Sequence, residues 1–210
     1  MGGGRVPGPI GVETEPEQGA FNSGAPGAGF DSPGLVKADA EPIVASVVTD
    51  WRPPNPSAAP AIVVRGKTLA QLESQLNALS EWGRGGGSLR ADELKNVTTA
   101  EVTVHLHANL QLVLPRWDGY DAASTPARAE WDRMVGKLRL HEQRHVDIAI
   151  EAADALAIAL KGQPMSKIAA LVTSANKTMA QRQQALDDAT EHGSKTGVAY
   201  GDVILDTSIP

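Results

Sequence analysis

The chain has 210 residues, which suits one domain or a domain with a tail. Its net charge of −6 speaks against a nucleic-acid module, because neutralising phosphate takes a basic surface. It contains no cysteine, so disulfide scaffolds, thiolate metal sites and cysteine nucleophiles all drop out. The apolar stretches are broken by Asp, Glu or Lys well short of the roughly 20 uncharged residues of a membrane span. The opening Met1 to Ile10 shows no apolar secretory core.

Residues 1–60 hold 10 of the 21 glycines and 10 of the 14 prolines, and are expected to form a mostly disordered tail ahead of a domain spanning 61–210. Inside that tail, Pro42 to Val48 is apolar enough to dock on the domain as an isolated strand, with Trp51 as its anchor; Phe21 and Phe30 also fall here. Ile62-Val63-Val64 reads as a short strand, and Thr68 with Gln71 as a capping box that opens a helix carrying Leu69, Leu72, Leu76 and Leu79. Gly83 to Ser88 reads as a loop. Its Gly85-Gly86-Gly87 lacks the Lys-Ser/Thr of a phosphate-binding loop and so reads as a flexible turn. From Val102 to Leu114 apolar and polar residues alternate, the period of a half-buried strand, which either runs straight or turns near Ala108-Asn109 into a hairpin. Thr125-Pro126 marks the start of a long helix ending near Lys161, with Trp131, Met134, Leu138, His141, His145, Ile148 and Ala152 in one stripe. A second helix follows from Pro164 to about Thr190, with Ile168, Leu171, Val172, Ala175, Met179 and Leu186 inward and His192-Gly193 at its end. Val198 to Leu205 has strand character. Trp117 and Trp131 read as core packing.

The long helix carries His141-Glu142-Gln143-Arg144-His145, an H-E-x-x-H pattern. Four helical residues set the two imidazoles about 40° apart around the axis and about 6 Å along it, so both reach one ion. Glu142 then sits beside the ion, where a carboxylate can take a proton from a metal-activated water and return it to a leaving amine. The competing reading is two core histidines, each of which would still need a hydrogen-bond partner. A catalytic zinc takes three protein ligands and keeps one position open. His192 is the first choice for the third, brought back by the second helix folding antiparallel onto the first; Gly193 and Gly197 allow the sharp turn. Glu151, His105 and His107 are rivals. Glu151 projects about 120° away from His145. His105 and His107 share a strand face at chelate spacing, as exposed polar residues also do. Tyr120 and His107 are candidates for stabilising an oxyanion. Asp147 and Glu151 otherwise read as solvated groups or as carboxylates that support a metal ligand from behind.

These residues resemble the bacterial DUF922 family, described as secreted or periplasmic zinc-dependent proteases. The resemblance runs from about Ile62 to Val198. It is carried by Val64-Arg65-Gly66-Lys67-Thr68, Leu114-Pro115-Arg116-Trp117, Trp131 ahead of His141, the H-E-x-x-H helix, and Asp188-Ala189-Thr190-Glu191-His192-Gly193 followed by Gly197. It implies His141, His145 and His192 as zinc ligands, Glu142 as catalytic base, and Asp188 as a carboxylate that orients an imidazole. Leu186-Asp187 departs from the aromatic usual before that Asp.

The expected architecture is α+β and zincin-like: a small antiparallel or mixed sheet packed on a long active-site helix and a second antiparallel helix. The expected activity is a zinc metallopeptidase acting on a peptide or protein substrate, with an edge strand of the 102–114 region aligning it. The alternatives are a catalytically silent, metal-stabilised binding domain and a zinc amidase acting on the cell envelope. Nucleic-acid partners and a transmembrane span are not expected.

Overall fold

The computed structural model describes residues 40–52, 54, 61–96 and 98–210. Phe21, Phe30 and most of the Pro/Gly-rich stretch lie outside them. The described part is α+β, with a small mixed sheet and three helices, one of them long. In chain order it runs β1 (Ile43–Asp50), β2 (Ile62–Val64), α1 (Leu69–Asn77), β3 (Arg84–Lys95), β4 (Glu101–Val113), β5 (Pro115–Trp117), α2 (Thr125–Leu160) and α3 (Ile168–Thr190), with short 3-10 turns at Tyr120–Ala122 and Met165–Lys167.

β4 is the centre of the main sheet, flanked by β1 in parallel and by β3 in antiparallel pairing. The alternation seen from Val102 onward therefore forms one unbroken strand, and the hairpin turns between β3 and β4, not at Ala108-Asn109. Being central, β4 has no free edge; the outer strands are β1 and β3. Val102, Val104 and Leu106 are fully buried beneath α2, while His105 and His107 point to the open face of the sheet. Pro42 to Val48 contributes to β1, whose Val44 is buried and whose trailing Trp51 packs on the core. β2 and β5 pair in parallel as a separate two-stranded ribbon.

Of the segment expected to be a loop with a flexible turn at Gly83–Ser88, Arg84 to Ser88 form the start of β3, in register with Asn109 to Val113 of β4. The correction has a steric reason. A Cβ at Gly85 would overlap the main-chain carbonyl of Glu142, and one at Gly83 would come within 3.1 Å of the Glu142 side chain. Gly85 thus removes the side chain that would hold β3 away from α2, while a Cβ at Gly86 would meet Gln183 of α3 and one at Gly87 would meet Asn109 of β4.

α2 is capped by Ser124, whose Oγ accepts from the Ala127 amide at 3.2 Å, one residue earlier than the Thr125 expected. Its 36 residues span about 54 Å. Two apolar cores lie along it. Trp131, Met134, Leu138 and Val146 join Leu72, Leu76 and Trp117 in one; Ile148, Ala149, Leu156 and Leu160 join Val104, Leu106 and Ile168 in the other. α3 starts at Ile168, a few residues after the expected Pro164, and runs antiparallel to α2, as the pairings His145 with Asp187 and Glu151 with Arg182 require. Leu79 lies past the end of α1 and is exposed. Val198 to Leu205 forms no strand; it is an irregular segment with a turn at its start, and its Val203 and Leu205 are buried in the first core.

Candidate metal centre

The H-E-x-x-H segment lies where the two cores of α2 meet, and His141, Glu142 and His145 are all buried, at 3%, 7% and 7% exposure. The helical spacing brings Nε2 of His141 and Nε2 of His145 to 3.2 Å of each other. Asp187, from α3, places Oδ1 at 3.0 Å from the His145 nitrogen and 3.3 Å from that of His141. These three groups form a set able to hold a metal ion. A tetrahedral ion with bonds of about 2.0–2.1 Å separates its ligand atoms by about 3.3 Å. The observed triangle fits that edge length.

Two features prepare the imidazoles as ligands. Nδ1 of His141 lies 3.1 Å from the Tyr200 main-chain oxygen. A carbonyl only accepts, so the proton sits on Nδ1 and the Nε2 lone pair faces the cluster. Burial lowers the pKa of His145, although Asp187 opposes the shift, which favours the neutral ring that binds cations.

Glu142 faces the same cavity, of about 560 Å3, from beside the pair. Burial pushes its pKa up to about 7, and the charges of Glu81 and Asp187 push the same way, while the Gly85 N–H hydrogen bond opposes them. A carboxyl group that holds a proton near neutrality next to a cation site is suited to proton exchange.

His192 is not among the three converging groups. Its Nδ1 lies 3.9 Å from Oδ1 of Asp187, and its side chain is 77% exposed at the cavity rim. The cause is the end of α3. Glu191, His192 and Gly193 take φ of +52°, +54° and +86°, so the chain turns away in three left-handed steps before a side chain at 192 can aim at the cluster. Asp188 is likewise displaced: it is exposed and accepts from Gln184 Nε2 at 2.8 Å, touching neither imidazole. The conformation of this turn is set by Thr190, which is buried, donates to the Leu186 carbonyl and accepts from the Gly193 amide at 3.1 Å. Gly193 is needed because a Cβ there would come within 3.3 Å of His141 Nδ1.

The model matching the chain over residues 62–193 is described as bacterial protein of unknown function (DUF922). The chain belongs to the DUF922 family. The matching description names no activity, so the protease activity and the secreted or periplasmic location that the resemblance implied are not shown by the match. No curated protein matches this DUF922 chain, and no solved structure does. Among the described residues no helix is long and apolar enough to cross a membrane.

The remaining candidates sit elsewhere. His107 pairs with Asp92 at 3.2 Å on the open sheet face, with His105 beside it on that face; neither lines the cavity. Tyr120 donates to Asp132 at 2.6 Å and is also outside it, so neither Tyr120 nor His107 reaches an oxyanion there. Glu151 bridges Arg144 of α2 and Arg182 of α3, and Asp147 accepts from Gln143. Trp117 and Trp131 are core residues at 3% and 4% exposure, with rings 5.7 Å apart. Asp187 was not singled out by the sequence, yet a signal existed: Met179 is an inward position of α3, and steps of four lead from it to Gln183 and Asp187.

Proposed function

We propose that this protein is a zinc-dependent hydrolase of zincin-like layout, a metallopeptidase that cleaves peptide bonds with an activated water. The observation that carries the reading is the convergence of His141, His145 and Asp187 at tetrahedral-edge separations beside the buried Glu142, on one cavity. Two imidazoles and one carboxylate suit zinc better than magnesium or calcium, which favour all-oxygen shells. Three protein ligands would hold the ion and leave a position facing the cavity. Bound zinc supplies Lewis acidity that polarises a carbonyl and acidifies a water near neutral pH.

The chain's own residues supply the rest. Glu142, held by the Gly85 N–H and shielded from bulk water, takes the proton of the attacking water and delivers it to the leaving amine. Because β3 is an outer strand of the sheet and Arg84 and Gly85 at its start line the cavity, an extended substrate would pair there by main-chain hydrogen bonds. This role passes to β3 from the 102–114 strand, which is enclosed on both sides.

The first test is metal content by mass spectrometry after zinc reconstitution. The expected result is about one zinc per chain in the wild type, lost in His141→Ala and Asp187→Ala and kept in His192→Ala. Zinc that survives Asp187→Ala but not His192→Ala would make His192 the third ligand; no zinc in the wild type would remove the hydrolase reading. Glu142→Gln should keep its zinc and lose turnover by at least about 100-fold on any peptide the wild type cleaves. Bound zinc without cleavage of a peptide library would point to the metal-stabilised binding domain, and cleavage confined to cell-wall fragments to an amidase.

A further inference from the structure

Beyond the cluster itself, the structure connects His141 to a polar stripe far up α2. Glu130, Arg133 and Lys137 precede His141 at helical spacing on one side of the helix. Segment 200–206 lies along that stripe. Arg133 forks onto buried Glu130 with two contacts of 2.7 Å, and also donates to the main-chain oxygens of Ile204 at 2.5 Å and Asp202 at 3.4 Å. Glu130 accepts from the Asp206 amide at 2.7 Å, and Lys137 reaches the Asp202 carboxylate at 3.3 Å. The last member of the row is His141, whose Nδ1 meets the Tyr200 carbonyl. Tyr200 and Asp202 hold φ of +62° and +64°, a costly backbone for non-glycine residues that needs outside support.

We infer that Glu130 and Arg133 are positioning residues for the metal centre: they latch segment 200–206 onto α2, and the latch presents the Tyr200 carbonyl that fixes the tautomer of His141. The inference rests on the metal-centre reading above for its effect on zinc, and on hydrogen bonding alone for its effect on the imidazole. Without the latch the carbonyl drifts, the imidazole proton redistributes between Nδ1 and Nε2, and the lone pair facing His145 and Asp187 is lost for part of the time. The fork requires arginine, because a lysine cannot serve Glu130 and the Ile204 carbonyl with one planar group.

The test uses the full chain and two readouts. Long-range proton–nitrogen correlation on metal-free protein reports the His141 tautomer; competition with a chromophoric chelator reports zinc affinity. In the wild type the proton is expected on Nδ1. Arg133→Gln and Glu130→Gln should give mixed tautomers, zinc binding weaker by about 10- to 100-fold, and a smaller rise of melting temperature on adding zinc. Arg133→Lys should recover only part of this. A proton on Nε2 in the wild type overturns the inference. So does a fall in melting temperature equal with and without zinc, with tautomer and affinity unchanged, since that is what a merely structural pair would give. If the wild type binds no zinc but its tautomer responds to Arg133→Gln as described, the latch stands and the metal reading falls.

Discussion

Asp187 and Asp188 are neighbours in the chain and about 100° apart on their helix, and that angle separates a group facing two imidazoles from one facing solvent. The zinc measurements on Asp187→Ala and His192→Ala turn on this difference. His141, Glu142 and His145 were legible because one helix fixes their relation: spacing alone puts both rings on one side. The third member of the cluster, Asp187, was not, because it depends on how far α3 slides along α2, which is set by core contacts such as those of Met179 and Ile168. His192 drew notice as a histidine near two glycines. The sequence cannot show that Glu191, His192 and Gly193 all turn left-handed and carry that ring to the rim.

At the level of elements, the same dependence on packing hid β3. Three glycines in a row suggest a turn when the strand is considered by itself. They make sense only against their neighbours in the fold: Gly85 against the α2 backbone, where the approach leaves no room for a side chain, Gly86 against Gln183 of α3 and Gly87 against β4. Gly85→Ala is therefore expected to destabilise the fold by at least about 1–3 kcal/mol, measured by denaturant unfolding, since the Cβ must push β3 off the helix. Gly136 gives the contrast. It lies within α2 with nothing near its missing Cβ, and Gly136→Ala should stabilise by about 0.5–1 kcal/mol in the same assay. Equal effects from the two would remove the close-approach explanation. The long helices and β4, by contrast, announce themselves through periodicity, because each pairs a simple apolar stripe with a simple buried face.

For the molecule as a whole, the carboxylates that hold the C-terminal segment set its acid sensitivity. Glu130 is held below its usual pKa by the Arg133 fork and the Asp206 amide. Asp202 is lowered by the Gly197 amide and Lys137, and Asp206 by Ser208. A carboxyl with a depressed folded pKa contributes stability in full above its unfolded value, near 4–4.5, and loses it as pH falls through the folded value. The share of stability these three carboxylates supply should thus hold from pH 7 to about 5 and fall away below about 4.5, seen as a steep drop of melting temperature there. Glu130→Gln should start lower and lose less over the acid range; a parallel loss would show that the Glu130 pair is not what acid breaks.

The position of the H-E-x-x-H segment at the junction of two cores has a dynamic consequence. Neither end of α2 can fray past the site while the core beside it stays packed, because each half of the helix is nailed down by its own set of buried side chains. Opening the backbone around His141 and His145 then requires giving up both halves together, so these two imidazoles share the stability of the entire fold. The margin is built differently: the left-handed turn at 191–193 carries the exposed Glu191 and His192 and is held by hydrogen bonds such as that from the Gly193 amide to Thr190. The floor of the cavity is thus the most permanent part of the molecule, and its rim rests on local hydrogen bonds.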